Sequence, residues 1–531
     1  MKDEKQARLD DAISFVASRI SGGDAPTREK VEKLKRQASR DFSLDRYVSN
    51  REILAALAGP SRSAFVEMLR VHPRRSASGI VVVTAFTKPF SCPHGTCVFC
   101  PGGPRGGTPQ SYLRGSPGMR SALDASFDPY EQVRECLSKY EANGHETSKA
   151  ETIIEGGTFI ADPGEYQAEF VKGVYEGLNG SRSASLEAAQ AANERARSRC
   201  VGLTLETKPD WCRPEDVDRM LEFGVTRLEI GVQSLHDSAL SASNRGNAVS
   251  DSLAAFQVAR DAGLKVTAHM MPGLPGATPE EDLADLRRLF DDDGLRPDMM
   301  KVYPTLVVGG TALERLYAAG RYAPYSLGTV VELLSDMKAF VPPWHRIMRI
   351  QREIPAHEIV GGVRNGNLRE LVLARAREKG HPCRCIRCRE VATREPASKA
   401  GDGSLRYAEE RYAASGGTEV FGSFESEGTG LVAGFVRMRV PSARAHRPEM
   451  EGSAVVRELR VYGRAVKVGS RDAKAWQHRG TGASLLAKME EAAESELGGG
   501  RLLVTSAVGT RDYYRRLGYE RLGPYMAKRL G

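Results

Sequence analysis

"SCPHGTCVFCPGG", residues 91–103, sets Cys92, Cys97 and Cys100 at spacing C-x4-C-x2-C ahead of a Pro-Gly-Gly turn. Four thiolates would close a tetrahedral zinc site or a fully protein-ligated iron–sulfur cluster, whereas three on one short loop leave a metal position open. The loop alone does not decide between a cluster with one open iron and three ligands of a zinc site completed from elsewhere. A disulfide framework fits less well. The chain has nine cysteines in 531 residues, and its start, "MKDEKQARLDDAISF", is charged and lacks the apolar stretch of a signal peptide.

Outward from this loop, strand-length apolar runs alternate with helical stretches: "GIVVVTAF" (79–86), "ETIIEGG" (151–157), "CVGLTLET" (200–207), "TRLEIGVQS" (226–234), "KVTAHMMPG" (265–273) and "DMMKVYP" (298–304). Such alternation predicts parallel strands with crossover helices, and six units predict an open (β/α)6 barrel. The first run leads straight into the cysteine loop. Gly156-Gly157-Thr158, Gly231 to Ser234 and "MPGLPG" (271–276) follow other runs, which gathers ligand-binding groups at the strand C-terminal ends.

Length favours about 3 to 4 domains. Mean hydropathy is −0.39, and no run of about 18 apolar residues is present, so a soluble cytoplasmic chain without membrane contact is expected. Net charge is +8. Residues 1–75 hold 16 basic against 11 acidic side chains, and residues 341–395 hold 12 against 6. Two basic segments suit a polyanion such as nucleic acid, although each alone reads equally as a solvated helical face. In the first, "PTREKVEKLKRQASR" puts Val31, Leu34 and Lys35 at helical spacing after Pro26, with Thr27 as a cap.

In the second, "HPCRCIRCRE" places Cys383, Cys385 and Cys388 at C-x-C-x2-C, with His381 as a candidate fourth ligand unless the tight spacing prevents it and a distant residue serves instead. Clustered soft thiolates favour structural zinc over an unmetallated surface. Interleaved Arg384, Arg387 and Arg389 would make such a knuckle a phosphate-contacting surface. Cys136, Cys200 and Cys212 show no ligand spacing and read as core. After a polar linker at 395–404 the pattern turns antiparallel, with strands in "LRYAEERYAA", "GTEVFGSFES" and "GLVAGFVRMRV". "VRELRVYG" (456–463) precedes Gln477-x-x-Gly480-x-Gly482, which opens an amphipathic helix carrying Leu485, Leu486 and Met489. Free N–H groups at such a helix start bind pyrophosphate.

The three-cysteine loop with its strand pattern resembles the radical S-adenosylmethionine superfamily, in which three cysteines hold a [4Fe-4S] cluster and S-adenosylmethionine chelates the fourth iron. Thr158 stands third in that family's Gly-Gly-Glu motif, and the first cysteine gap is four residues. Residues 405–531 resemble the GNAT acetyltransferase fold, which binds acetyl-CoA. Through "SKAETIIEGGTF", "ETKPDWC", "EIGVQS", "MPGLPG", "RIQREIP", "ELRVYG", "QHRGTG" and "YYRRLGY" nearly the whole chain is similar to the family of Elongator catalytic subunits in their stand-alone archaeal or bacterial form.

That resemblance implies a basic helical tRNA-binding segment (1–76), a partial radical SAM barrel (77–330), a linker with the second cysteine cluster (331–404) and a GNAT domain (405–531). It implies modification at carbon 5 of the wobble uridine in the tRNA anticodon. A 5′-deoxyadenosyl radical would take hydrogen from the acetyl methyl, the resulting carbon radical would add to the ring, and thioester hydrolysis would leave a carboxymethyl arm. An electron donor is required, and homodimerisation stays open. Expected cofactor contacts are Gly156, Gly157, Thr158, Glu206, Gln233 and Ser234 around the cluster. Acetyl-CoA contacts would be Lys149, Glu458, Leu459, Arg460, Val461, Gln477, Gly480, Thr481, Gly482, Ala483 and Tyr514, with Lys149 and Tyr514 catalytic. The alternatives are a protein or histone lysine acetyltransferase with a structural iron–sulfur barrel, and a non-catalytic tRNA-binding module using zinc and basic segments.

Overall fold

The computed structural model describes residues 2–22, 27–394, 404–463 and 480–531. Each apolar run becomes a strand of one sheet: β1 (Val81–Phe86), β2 (Lys149–Glu155), β3 (Arg199–Thr207), β4 (Arg227–Gln233), β5 (Lys265–Met270) and β6 (Met299–Val302). Past a two-residue strand β7 (Val307–Val308), a further strand β8 (Arg346–Arg349) joins β6. The sheet is parallel throughout in the order β1-β2-β3-β4-β5-β6-β8, so it is an open half-barrel of seven strands rather than six. β8 was missed because "RIMR" has only two apolar residues between arginines. A short β9 (Ile359–Gly361) pairs antiparallel with β7.

The outward face of β1 and β2, including Val81, Val83, Ala85, Ala150 and Ile154, packs with helix Pro129–Ala142 in the main core. That helix also covers the open edge of β1. Gln132 accepts from Phe86 N (2.8 Å) and donates to Phe86 O (3.0 Å), and Tyr140 donates to Val82 O at 3.1 Å. A four-residue helical step rises about 6 Å, close to the length of two strand residues, so one helix face can satisfy alternate groups of a strand edge.

The first four helices, Lys2–Ser21, Arg28–Asp41, Asn50–Ala56 and Gly59–Leu69, share a separate core of Val16, Ile20, Val31, Ile53, Leu54 and their neighbours. Thr27 caps the second as expected, its Oγ1 accepting from Lys30 N at 3.3 Å.

A second seven-stranded sheet contains β10 (Leu405–Ala414), β11 (Gly417–Ser426), β12 (Val432–Val440), β13 (Ser453–Val461), β14 (Gly500–Val504), β15 (Glu520–Leu522) and β16 (Tyr525–Leu530). Its order is β10-β11-β12-β13-β14-β16-β15, antiparallel except for β13–β14. That parallel pair is joined by helix Thr481–Leu497 and stays in register only from Ser453↔Arg501 to Val456↔Val504. Beyond Val456 the two strands part.

The sheets meet through buried ion pairs. Arg457 from β13 binds Asp298 ahead of β6 and Glu419 of β11, and Arg439 of β12 binds Asp261 at 2.6 Å, all fully buried. Among the described residues no helix is long and apolar enough to cross a membrane.

Candidate active site

The cysteine loop lies at the C-terminal mouth of the half-barrel. Gly95, at φ +88°, turns the chain after Cys92, and Asn244 donates to Thr96 O at 2.9 Å. Cys92, Cys97 and Cys100 line one void with Gly157, Thr158, Glu206 and Gln233. Thr158 Oγ1 donates to Cys92 Sγ at 3.9 Å, so the residue that replaces the motif's glutamate reaches a thiol. Gly156 is not on this void. A side chain there would overlap Thr87 Oγ1, so its glycine serves packing. Ser234 is also absent from the lining, because its hydroxyl donates to buried Asp285 Oδ2 at 2.9 Å.

Spacing separates the two thiol triads. Cys383, Cys385 and Cys388 have all three sulfurs within 4.8 Å of one another, and the Cys92 triad forms no such group. A tetrahedral zinc with 2.3 Å bonds sets its sulfurs about 3.8 Å apart, so the second triad fits one ion and the first fits a wider, polynuclear cluster. Burial raises the Cys92 thiol, and burial with repulsion from Cys97 raises Cys100 to about 11. Arg245, with Nη1 3.6 Å from Cys97 Sγ, places a positive charge that opposes the effect of burial on Cys92.

Sequence reasoning missed Arg245 and also His94, which fills the four-residue gap. Its Nε2 lies 3.2 Å from Cys97 Sγ, and burial with the charges of Lys208 and Arg245 lowers it to about 4, so the ring is neutral.

Above this void a cavity of about 430 Å³ opens, lined by Tyr112, Glu155, Glu206, His269, Lys301 and Arg349 among others. All but Tyr112, which comes from the loop after β1, lie toward the C-terminal ends of strands. Glu229 of β4 is fully buried, pairs with Lys301, and lies 2.9 Å from His269 Nε2. Tyr112 donates to Glu206 Oε2 at 2.8 Å. Glu206, Glu229 and His269 are close enough for a metal, but these partners already occupy them. Burial and repulsion from Glu206 push Glu155 up to about 8. The available signal was a titratable residue within five of the six apolar runs: Glu155, Glu206, Glu229, His269 and Lys301.

A third cavity, about 610 Å³, lies at the opposite, N-terminal end of the half-barrel, where β13 and β14 part. It gathers Lys149, Glu458, Leu459, Arg460, Val461, Gly480, Gly482, Ala483 and Tyr514. Thr481 begins the helix but does not line it, and Gln477 falls outside the described residues. A Cβ on Gly482 would sit 3.0 Å from Tyr513 Oη, so the wall is tight there. Burial lowers Lys149 to about 8. Tyr514 is buried edge-on to Tyr513, at 5.1 Å between rings.

At the second triad, hydrogen bonds from Cys383 and Cys388 hold the Cys385 thiol well below its ordinary value. His381 is exposed and outside the sulfur group, in line with the alternative that tight spacing keeps it from the fourth position. The tight C-x-C turn carries it away. Arg389 is engaged by Glu425 (2.8 Å) and Arg387 donates to Met348 O (2.8 Å), and Arg384 and Arg387 are both exposed.

The Radical SAM superfamily pattern matches residues 89–289, and the Radical_SAM C-terminal domain pattern matches 297–378. Elongator complex protein 3 of Danio rerio is 42% identical over 509 residues, covering 94% of this chain and 93% of that protein. The chain belongs to the family of Elongator catalytic subunits. The tRNA uridine(34) acetyltransferase of Methanocaldococcus jannaschii, 39% identical, covers 99% of both chains. The solved archaeal Methanocaldococcus infernus Elp3 with residues 1–46 deleted aligns at TM-score 0.75 and 40% identity, over 85% of this chain and 100% of that one.

Proposed function

We propose that this Elongator-family protein modifies carbon 5 of the wobble uridine of tRNA, with acetyl-CoA as co-substrate and S-adenosylmethionine as radical source. The observation that carries this reading is an intact, widely spaced thiol triad in a chain that aligns end to end with a relative named tRNA uridine(34) acetyltransferase. Cys92, Cys97 and Cys100 would hold a [4Fe-4S] cluster which, with S-adenosylmethionine on its open iron, supplies one-electron reductive cleavage. Thr158 and Arg245 stabilise the thiolates, and Glu206 and Gln233 face the space beside them. Glu155, kept protonated at neutral pH, offers a donor inside the 430 Å³ cavity, and half-exposed Arg349 gives its mouth a positive charge toward RNA.

At the other end Gly480, Gly482 and the start of helix Thr481–Leu497 would take the acetyl-CoA pyrophosphate, favoured by the helix dipole. Lys149 remains largely protonated at pH 7 and can donate to an acyl carbonyl. Tyr514 fixes the wall behind the thioester. Cys383, Cys385 and Cys388 would hold structural zinc, fastening this segment to the barrel where Ile386 N donates to His345 O at 2.9 Å. A lysine acetyltransferase with a structural iron–sulfur barrel would give the triad a cluster to hold but no use for the 430 Å³ cavity beside it.

The experiment is anaerobic incubation of reconstituted protein with reductant, S-adenosylmethionine, acetyl-CoA and tRNA, followed by nucleoside mass spectrometry. A carboxymethylated uridine that vanishes with Cys97→Ala supports the reading. Acetylated protein with unmodified tRNA opposes it.

A further inference from the structure

The two large cavities sit at opposite ends of the half-barrel. Along β2, Lys149 and Glu151 line the lower cavity and Glu155 the upper. Six strand residues span about 20 Å, yet a radical reaction requires contact between its partners. Most of the interior between them is closed. Arg227 pairs with Glu151 and lies 3.6 Å from Glu229, Glu229 pairs with Lys301, and Arg460 reaches Glu151 at 3.4 Å. This chain of ion pairs fills the β4–β6 side.

The β1–β2 side is different. Ile80 lines the lower cavity, and Val82 and Thr84, the next residues on the same face, line the upper. The strand register pairs Val82 with Glu151 and Thr84 with Ile153. Val82 of the upper cavity and Glu151 of the lower are therefore direct cross-strand neighbours, on strands about 4.8 Å apart. Val82 is also 38% exposed, although it faces inward and the other apolar residues of its strand are buried. Among the described residues nothing covers it.

We propose that the inner faces of β1 and β2 form one continuous groove joining the two cavities, and that it receives the extended pantetheine arm of an acyl thioester, bringing the acyl end from the lower cavity to the thiol-triad end. The proposal rests on the acetyl-CoA reading above. The groove's surface matches the arm: Ile80, Val82 and Ile153 suit methylenes, Thr84 suits an amide, and Lys149 stands at the entrance. Val82 is the narrow point, since it lines the upper cavity directly beside Glu151 of the lower one.

Calorimetry with two probes tests this. Acetyl-CoA has the arm, and adenosine 3′,5′-bisphosphate is the nucleotide end without it. Val82→Trp should weaken acetyl-CoA binding by about tenfold or more and leave the bisphosphate within about twofold of wild type, which also verifies that the lower cavity is folded. Val82→Ala should leave both unchanged. Ile153→Trp, which obstructs the groove from the second strand, should repeat the Val82→Trp pattern. Wild-type acetyl-CoA affinity in both tryptophan variants overturns the groove and leaves the acetyl-CoA site standing. Failure of either probe to bind the wild-type chain overturns the site and the groove together.

Discussion

Arg457 grips Asp298 with two parallel hydrogen bonds, Nη1 at 2.7 Å and Nη2 at 2.6 Å, across the boundary between the half-barrel and the second sheet. Neither side chain has any solvent exposure. Burial alone would raise the Asp298 pKa, but the Arg457 charge and hydrogen bonds override it and hold the carboxyl well below the usual range. The pair fixes the relation of the two cavities.

Arg457→Met takes from buried Asp298 its two-pronged partner and leaves it only the ion pair with Arg437 at 3.7 Å, while Glu419 keeps Arg439 at 3.0 Å. Removal of one partner from a buried pair costs about 3–5 kcal/mol. Urea unfolding should show that loss, with part of it recovered when Asp298→Asn is added. An unchanged midpoint in the single variant would mean that this junction does not stabilise the fold.

Metal content should separate the two triads. After anaerobic purification, Cys97→Ala should lose iron and keep zinc, while Cys388→Ser should lose zinc and keep iron. Loss of both metals in each variant would contradict the assignment of one triad to each.

Gly482→Glu puts a side chain against Tyr513, where even a Cβ would lie 3.0 Å from the hydroxyl, and a negative charge at a helix N-terminus. Acetyl-CoA binding should fall at least about tenfold while tRNA affinity stays the same. Equal acetyl-CoA affinity by calorimetry would remove this helix start from the site.

Glu155 gives a pH signature. Its carboxyl titrates at about 8 when folded against 4.5 as a reference, so the folded state binds more protons between those values. This contribution to stability is complete below about pH 4.5 and lost as pH rises through 8. Glu155→Gln should remove that decline, and its stability relative to wild type should grow from pH 5 to pH 8.5. A constant difference would show that Glu155 is ionised across the range.

Much of this was readable in the sequence because apolar runs, glycine positions and cysteine spacing are local signals. The six strand runs became β1–β6, and the thiol triad lies at their C-terminal mouth. Strand β8 was not readable, since its pairing with β6 supplies what "RIMR" lacks in pattern. Nor were the partners of Glu229, because Lys301 and His269 come from other strands and only the register brings them together. Ser234 misled for the converse reason: its place beside Gln233 suggested a ligand, and a distant Asp285 claims its hydroxyl. Val82 looked like an ordinary strand valine until the open side of the barrel was seen.

The central claim is that the thiol-triad end of the barrel acts on the acetyl group held at the other end. The direct measurement is mass spectrometry of 5′-deoxyadenosine formed with trideuteroacetyl-CoA, S-adenosylmethionine, reductant and tRNA. The account predicts 5′-deoxyadenosine carrying one deuterium for each modified uridine, and loss of that label in Val82→Trp. Unlabelled 5′-deoxyadenosine accompanying modified tRNA would contradict it, since the hydrogen would then come from another source.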